Sequence, residues 1–592
     1  MLFVHAAAGF RSAGVPDFWR DMYWATKIAH GEAFPLTGPP IYGLVELGPW
    51  WFYLLALPIG LTGSVAIASA FVQILAGAKY LLAWRLGTRF ADARLGLAFA
   101  CSLAFAGWST IPLMFPSHTA LVETMLLLLA AATWRCWDRL SIGNALLFGL
   151  ASGACVHAHP TTAGYVCVAG AALLVRHRSW SATGRLAMAA AVVLLMLAPP
   201  WFDTTTGIAH RSVDAYVGTD IAVGVAHRLP ALVASALVGG AWNGFLLMTT
   251  WKVEHVRLAW FAYCVCVLVA LIGLPFAWRR DAAMRRGLVA AAALFVLQTA
   301  LLVMLRPITP MWMLSTLLPP LAIVLAIGWY GWLGADKAWR RRSAGVVLAM
   351  FAALSVIPFA LFLRDLRNMR VAPGVNPYDN AIESSNRYVA VAVPQWPAYR
   401  VGEIAESLCD AEVLHARLAW TIEQSLAIPA RLACGAWPAL RYGGREGAGH
   451  HIAGIAEPAA IASGIEPDRI VAGMALYETK VRPIAPASGG KPTRLVRDQI
   501  HPDHSANAFG PVVVEFDANG ADAAVLTNRF PLVMPMKVRA VSADGIAMSA
   551  LYDDGGSTVY RCMVCAQDAS VHWRFELDAI EDDLDLIVLR AK

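Results

Sequence analysis

Charge is what this sequence lacks. Of its 592 residues only 15% are charged, 58% are hydrophobic, and the mean hydropathy is +0.55. Soluble domains carry about 25% charged residues, so a wholly water-soluble globule is excluded. The deficit is uneven: up to about residue 364 the chain is a train of apolar runs, and beyond it the composition is ordinary. A charged n-region is also absent before the apolar residues 1–10, so they do not read as a signal peptide. They are too short to span a bilayer. They read as the stump of a first helix, the alternative being a fold delivered by its second span.

The net charge of +6 gives no reason to expect nucleic acid. Most of the excess Lys and Arg sits in short linkers between apolar runs, where positive charge sets membrane orientation. The runs are 64–84, 93–113, 119–134, 142–156, 161–175, 186–202, 257–277, 287–305, 310–333 and 344–363. Linkers of one set carry Arg85, Arg89, Arg94, Arg135, Arg139, Arg176, Arg178, Arg185, Arg279, Arg280, Arg285, Arg286, Lys337, Arg340, Arg341 and Arg342. The short linkers between them, 114–118, 156–160 and 306–309, carry a single basic residue, Arg306. The first set is expected in the cytoplasm. Longer segments 10–60, 203–256 and everything after 364 then lie outside. Runs 142–156 and 161–175 are short for a crossing and share the turn His157-Ala158-His159-Pro160, which is expected to dip below the surface.

The expected fold is an α-helical polytopic membrane domain over residues 1–364, with about ten or eleven spans, followed by a β-rich or α+β soluble domain over 365–592. In that tail, 410–431 has helical apolar spacing (Val413, Leu414, Leu418, Ile422, Leu426). Segments 472–481, 511–516, 531–541, 558–564, 570–577 and 584–590 favour strands, separated by turns such as Asp553-Asp554-Gly555-Gly556. Its four cysteines permit two disulfides in an oxidising compartment, Cys409 with Cys434 and Cys562 with Cys565. His450, His451, His501 and His504 fit no standard metal-site spacing and read as solvated loop residues.

The most informative stretch runs from Pro16-Asp17-Phe18-Trp19-Arg20-Asp21-Met22-Tyr23-Trp24 through Thr37-Gly38-Pro39-Pro40 to Leu47-Gly48-Pro49-Trp50-Trp51-Phe52. It resembles the first periplasmic loop of GT-C-type glycosyltransferases that use polyprenyl-phosphate sugars, the protein-mannosyltransferase-like and aminoarabinose-transferase-like families. There an acidic residue ends the first helix, an aromatic follows, and a Pro-containing turn leads into an interfacial helix. The layout of residues 10–330 is similar, but only the first loop is motif-specific. A Lys that the family often places near the Pro-Pro turn is missing; Lys27 is nearby but not aligned.

The resemblance implies an inverting transferase in the bacterial inner membrane, with its C-terminal domain periplasmic. It would move a sugar from a polyprenyl-phosphate donor to a glycan, lipid or protein acceptor. Such chemistry needs a carboxylate to take the acceptor's proton and cations on the departing phosphate. Asp21 best matches the base, with Asp17 close enough to exchange roles; a capping role for Asp21 at a helix beginning near Met22 is the alternative. Arg306, before Pro307, matches the phosphate ligand, or snorkels to headgroups. His118 and Glu123 open the third run, and an ionisable residue inside a span is a functional candidate. Glu123 would orient the acceptor or His118, or serve packing. His157 and His159 would touch phosphate or build the turn, and Arg211 of the second long loop would contribute to phosphate or sugar binding. No cofactor is implied, and dependence on a divalent metal stays open. A secondary transporter or lipid flippase is the alternative, against which the chain shows no internal repeat. A non-catalytic membrane anchor for the tail is a further one, but it has no need of Asp21, Glu123 and Arg306.

Overall fold

A computed structural model describes residues 2–11, 16–41, 45–105, 117–202, 253–304, 315–334 and 338–350. Beyond these it describes 414–416, 428, 430–437, 450–453, 469–471, 474–477, 493–495, 512–519, 523–528, 538–553, 557–562, 570–577 and 584–589. The chain divides into two compact units, one containing the helices and the other the strands from Leu414 onward. The boundary expected at 364 lies outside the described residues.

The first unit contains helices α1 (Leu2–Arg11), α2 (Pro16–Ala29), α3 (Trp50–Thr62), α4 (Val65–Phe90), α5 (Ala93–Phe105) and α6 (Val122–Asp138). It continues with α7 (Ile142–Ala158), α8 (Ala163–His177), α9 (Trp180–Leu197), α10 (Val253–Arg280), α11 (Ala282–Met304) and α12 (Leu318–Leu333). Among the described residues five helical stretches are long and apolar enough to cross a membrane: Val65–Phe90, His118–Asp138, Trp180–Leu197, Ala282–Leu302 and Ser315–Leu333. Three apolar helices, Trp50–Thr62, Ala93–Ala104 and Ile142–Ala158, are shorter. This is a multi-pass membrane architecture. Most of the run at 344–363 lies outside the described residues.

The two short runs are α7 and α8, of 17 and 15 residues. At 1.5 Å per residue α7 is about 25 Å long, less than the ~30 Å hydrocarbon core. The turn they share is buried.

Helix α1 runs antiparallel to α4, since Ser69 Oγ donates to Gly9 O while His5 bonds Gln73 and Tyr80. On the far side α10 and α12 cross so closely that a Cβ on Gly328 would strike the Ala270 carbonyl. Small residues at a crossing let apolar helices gain dispersion contact without help from water.

The basic linkers gather at one end. Arg89 pairs with Asp138 at 2.5 Å, His177 Nε2 donates to Cys136 O, Arg185 to Leu140 O, and Arg280 to Gly334 O. Tyr330 ties the end of α12 to Asp92. The charge alternation in the sequence therefore corresponds to a physical segregation of the helix ends.

The second unit holds short strands. A two-residue ribbon in the first unit, β1 (Pro40–Ile41) with β2 (Val45–Glu46), opens the numbering. Strands of the second unit are β3 (Leu414–Ala416), β4 (His450–Ala453), β5 (Arg469–Val471), β6 (Met474–Tyr477), β7 (Thr493–Leu495), β8 (Val512–Asn519) and β9 (Ala523–Asn528). Then follow β10 (Val538–Ala543), β11 (Ile546–Ala547), β12 (Ala550–Asp553), β13 (Ser557–Arg561), β14 (Ser570–Leu577) and β15 (Leu584–Leu589). They form sheets in the orders β3-β4-β6-β5, β12-β13-β9-β15-β7 and β11-β10-β14-β8. In β14, Val571, Trp573 and Phe575 are buried while His572 and Arg574 are exposed, the alternation of a sheet with one face in a core.

One expectation is corrected. Residues 410–431 were expected to be a helix, yet Leu414–Ala416 is a strand paired in parallel with His450–Ala453. Pairing with a distant strand overrides a local apolar period. Among the described residues of this stretch, helical backbone is found at Ile428, Ala430 and Arg431. Cys434 and Cys562 are each disulfide-bonded; Cys409 and Cys565 lie outside the described residues.

Candidate functional site

Asp21 lies at the end of the first unit opposite the basic linkers. Helix α2 starts with Pro16 at its first position, which tolerates the missing N–H, and it is followed by Gly31 at φ 70°. Phe18, Met22 and Ala25 recur at helical spacing, and all are fully buried. They pack on Trp51, Phe52, Leu55 and Ile59 of α3, and Trp24 stacks on Phe52. Asp21 falls on this buried stripe, so helical phase alone buries its carboxylate. It is 1% exposed. Because the helix begins five residues earlier, Asp21 is interior to it and the capping alternative is removed.

A carboxylate in such a place needs partners. Arg20 Nε and Nη2 both donate to Oδ1, at 2.9 and 2.7 Å. Trp51 Nε1 donates to Oδ2 at 2.7 Å. Burial pushes the Asp21 carboxyl up, but the Arg20 guanidinium and then His118 outweigh it and hold it below the ordinary carboxylate range. Asp21 is thus ionised at neutral pH.

His118 opens the 3₁₀ turn His118–Leu121 that leads into α6. Its ring meets Trp51 edge-on, 6.1 Å between centroids, and its Nδ1 stands 3.9 Å from Asp21 Oδ2. That is beyond hydrogen-bond length. Among the described residues, His118 Nδ1 is buried without a hydrogen-bond partner. Oδ2 holds one donor where an oxygen accepts two. Each atom therefore has a hydrogen-bonding position unfilled among the described residues, and the two atoms lie 3.9 Å apart.

The turn after α7 brings two more imidazoles. His157 and His159 both lie within electrostatic reach of His118. His159 Nδ1 accepts from Thr161 N and from the Thr161 hydroxyl, which caps the 3₁₀ turn Pro160–Thr162. Burial, with His118 second, pushes His159 down to about 3, so it is neutral. Gln298 of α11 fixes this turn from behind, donating to Thr161 O and Thr316 Oγ1. His157 Nε2 bonds Met196 O at 3.1 Å, and Trp50 Nε1 donates to the same carbonyl at 2.8 Å. Gly48 permits this: a Cβ there would strike the His157 ring and the Met196 carbonyl. The segment Gly48–Trp51 therefore touches both His157 and Asp21.

Glu123 is placed in the first turn of α6, fully buried, with Lys79 Nζ of α4 at 2.6 Å. Its carboxylate pairs with that cation. Sequence reading passed over Lys79, although a lysine inside the 64–84 run is the signal an intramembrane charge gives. Arg20 and Trp51 were likewise legible only as motif neighbours of Asp21. Lys27 lies over the rings of Tyr23 and Trp24. Arg211, Arg306 and the Asp17 side chain lie outside the described residues. Among the described residues no group of three or more His, Cys, Asp or Glu is arranged to hold a metal.

The chain is similar to ArnT from Cupriavidus metallidurans in the apo state, at 11% identity and a TM-score of 0.47, over 80% of this chain and 95% of that one. It is similar to the same protein bound to undecaprenyl phosphate, at 12% and 0.42, over 94% and 96%. It is also similar to arabinosyltransferase EmbB from Mycobacterium smegmatis, at 14% and 0.31, over 99% of this chain and 63% of that one. No protein-family model and no curated protein matches the sequence.

Proposed function

We propose that the chain is an inverting membrane glycosyltransferase that moves a sugar from a polyprenyl-phosphate donor to an acceptor hydroxyl on the periplasmic face. The observation that carries this reading is the 3.9 Å separation of Asp21 Oδ2 from the unpartnered His118 Nδ1. A hydroxyl oxygen about 2.8 Å from both atoms fits the 3.9 Å gap between them. The acceptor oxygen attacks the anomeric carbon as the bond from that carbon to the phosphate oxygen breaks, and polyprenyl phosphate leaves. The acceptor's proton passes to Asp21. A carboxylate with a lowered pKa is a weak base, but an oxygen bonding to an oxocarbenium-like carbon becomes strongly acidic, so a weak base is sufficient.

Arg306 and Arg211 are proposed to hold the phosphate, with His159 adding a neutral N–H donor from Nε2, since its Nδ1 is an acceptor. Asp17 remains an alternative acidic group. Placement at the periplasmic face follows from the basic linkers, which gather at the opposite end. The tail would help bind or orient the acceptor. The test is release of polyprenyl phosphate from a panel of labelled polyprenyl-phosphate sugars in membranes, comparing wild type with Asp21→Asn. A fall of at least a hundredfold for a donor that wild type turns over supports the reading. Equal turnover in the two proteins removes Asp21 from the chemistry.

The transport alternative is favoured by one feature, the buried Lys79–Glu123 pair between spans, because such pairs mark ion pathways in other membrane proteins.

A further inference from the structure

We infer that His157 is a specificity-determining residue that accepts a hydrogen bond from a sugar hydroxyl, and that it does not bind phosphate. The inference rests on the transferase reading for the identity of the ligand, but its geometry stands by itself. Met196 O is one of the last carbonyls of α9 (Trp180–Leu197), and the last carbonyls of a helix have no partner within it. Two side-chain donors fill that need, Trp50 Nε1 at 2.8 Å and His157 Nε2 at 3.1 Å. A carbonyl only accepts, so His157 Nε2 must carry the proton. A neutral imidazole with its proton on Nε2 has Nδ1 as a bare acceptor.

That Nδ1 is buried and, among the described residues, without a hydrogen-bond partner. The residue is 7% exposed. A buried acceptor left unmade is costly, and the cost is relieved by a ligand that brings a donor. The phosphodiester of a polyprenyl-phosphate sugar has no O–H and brings none. A sugar hydroxyl does. The position is right for the substrate, because Gly48–Trp51 links His157 to Asp21 and His118 lies within electrostatic reach. Two imidazole Nδ1 atoms, those of His118 and His157, are thus buried without a hydrogen-bond partner among the described residues, on either end of the Gly48–Trp51 segment that also reaches Asp21. The hydroxyl belongs either to the transferred sugar or to the acceptor, and the chemistry recognised is the same.

The test uses the full chain in lipid nanodiscs with ¹⁵N-labelled histidine, the His157 signals being assigned by their loss in His157→Gln. Methyl glycosides of hexoses and pentoses, and separately dimethyl phosphate, a phosphodiester without an O–H, are titrated in. The expected result is an upfield shift of a pyridine-type Nδ1 resonance with at least one glycoside, and none with dimethyl phosphate. Glycosides lacking one hydroxyl at a time then identify the group that is read, and donor analogues against acceptor analogues identify its source. A His157 found with its proton on Nδ1, a shift produced by dimethyl phosphate, or no shift with any glycoside overturns the inference. Donor turnover is measured on the same sample. A glycoside shift without turnover of any donor leaves the inference standing and sinks the transferase reading alone.

Discussion

Lys79 Nζ and Glu123 Oε2 meet at 2.6 Å with both side chains fully buried, α4 against α6. Around Lys79 the structure adds the ring of Tyr80, and His5 joins Tyr80 to Gln73. Removing one member of such a pair strands a charge and costs about 3–5 kcal/mol, whereas replacing both by apolar groups is close to neutral. Lys79→Met is therefore expected to lower unfolding stability in mild detergent by that amount, and Lys79→Met/Glu123→Leu to restore most of it. The double variant should keep donor turnover within about threefold. If the pair were instead an ion pathway, the double variant would fold and lose all function.

Trp51 holds Asp21 by its indole N–H alone among the described residues of α3. Trp51→Phe keeps the ring packing and removes a hydrogen bond to a charged acceptor, worth about 1.5–3 kcal/mol. Turnover should fall about ten- to hundredfold, chiefly in kcat, with helical content unchanged by circular dichroism. Wild-type turnover in this variant would show that the orientation of Asp21 is set by Arg20 alone.

The lowered pKa of Asp21 fixes a pH dependence. A carboxyl whose folded pKa lies below its unfolded value, about 3.9, adds stability that is complete above that value. The contribution is lost as pH falls through the folded pKa. The difference in Tm between wild type and Asp21→Asn should therefore be constant from pH 5 to 8 and close only below about pH 4. A gap that closes between pH 5 and 7 would mean a raised pKa and a different partner set.

Cys434 and Cys562 are disulfide-bonded. Peptide mapping without reduction is expected to find Cys409 joined to Cys434 and Cys562 joined to Cys565. Reduction should destabilise the second unit by about 2–4 kcal/mol for the longer loop and less for the Cys562–Cys565 loop, read as a lower denaturation midpoint. A Cys434–Cys562 peptide would contradict the pairing.

The sequence by itself determined the membrane architecture and the gathering of the basic linkers at one end. Runs such as 64–84 and 287–305 are legible because a lipid environment demands uninterrupted apolar length. Basic linkers are legible because orientation is read from local charge. It also determined the strands at 570–577 and 584–589, where turn residues bound apolar alternation. The central strand Ala523–Asn528 was missed, since an Ala-rich segment has little strand propensity and is held by neighbours on both sides.

Only the tertiary structure decided the site. Asp21 was legible as a candidate, but its burial depends on α3 covering α2, and its partner Trp51 lies 30 residues away in sequence. Glu123 was legible as an ionisable group inside a span, but its cation Lys79, 44 residues away in sequence, was not. The tautomer of His157 is set by the carbonyl of Met196, 39 residues distant. Hydrogen bonds are short and directional, so which atoms meet is fixed by how helices cross. Hydropathy is a sum over a window, so it is written in the chain before any helix packs.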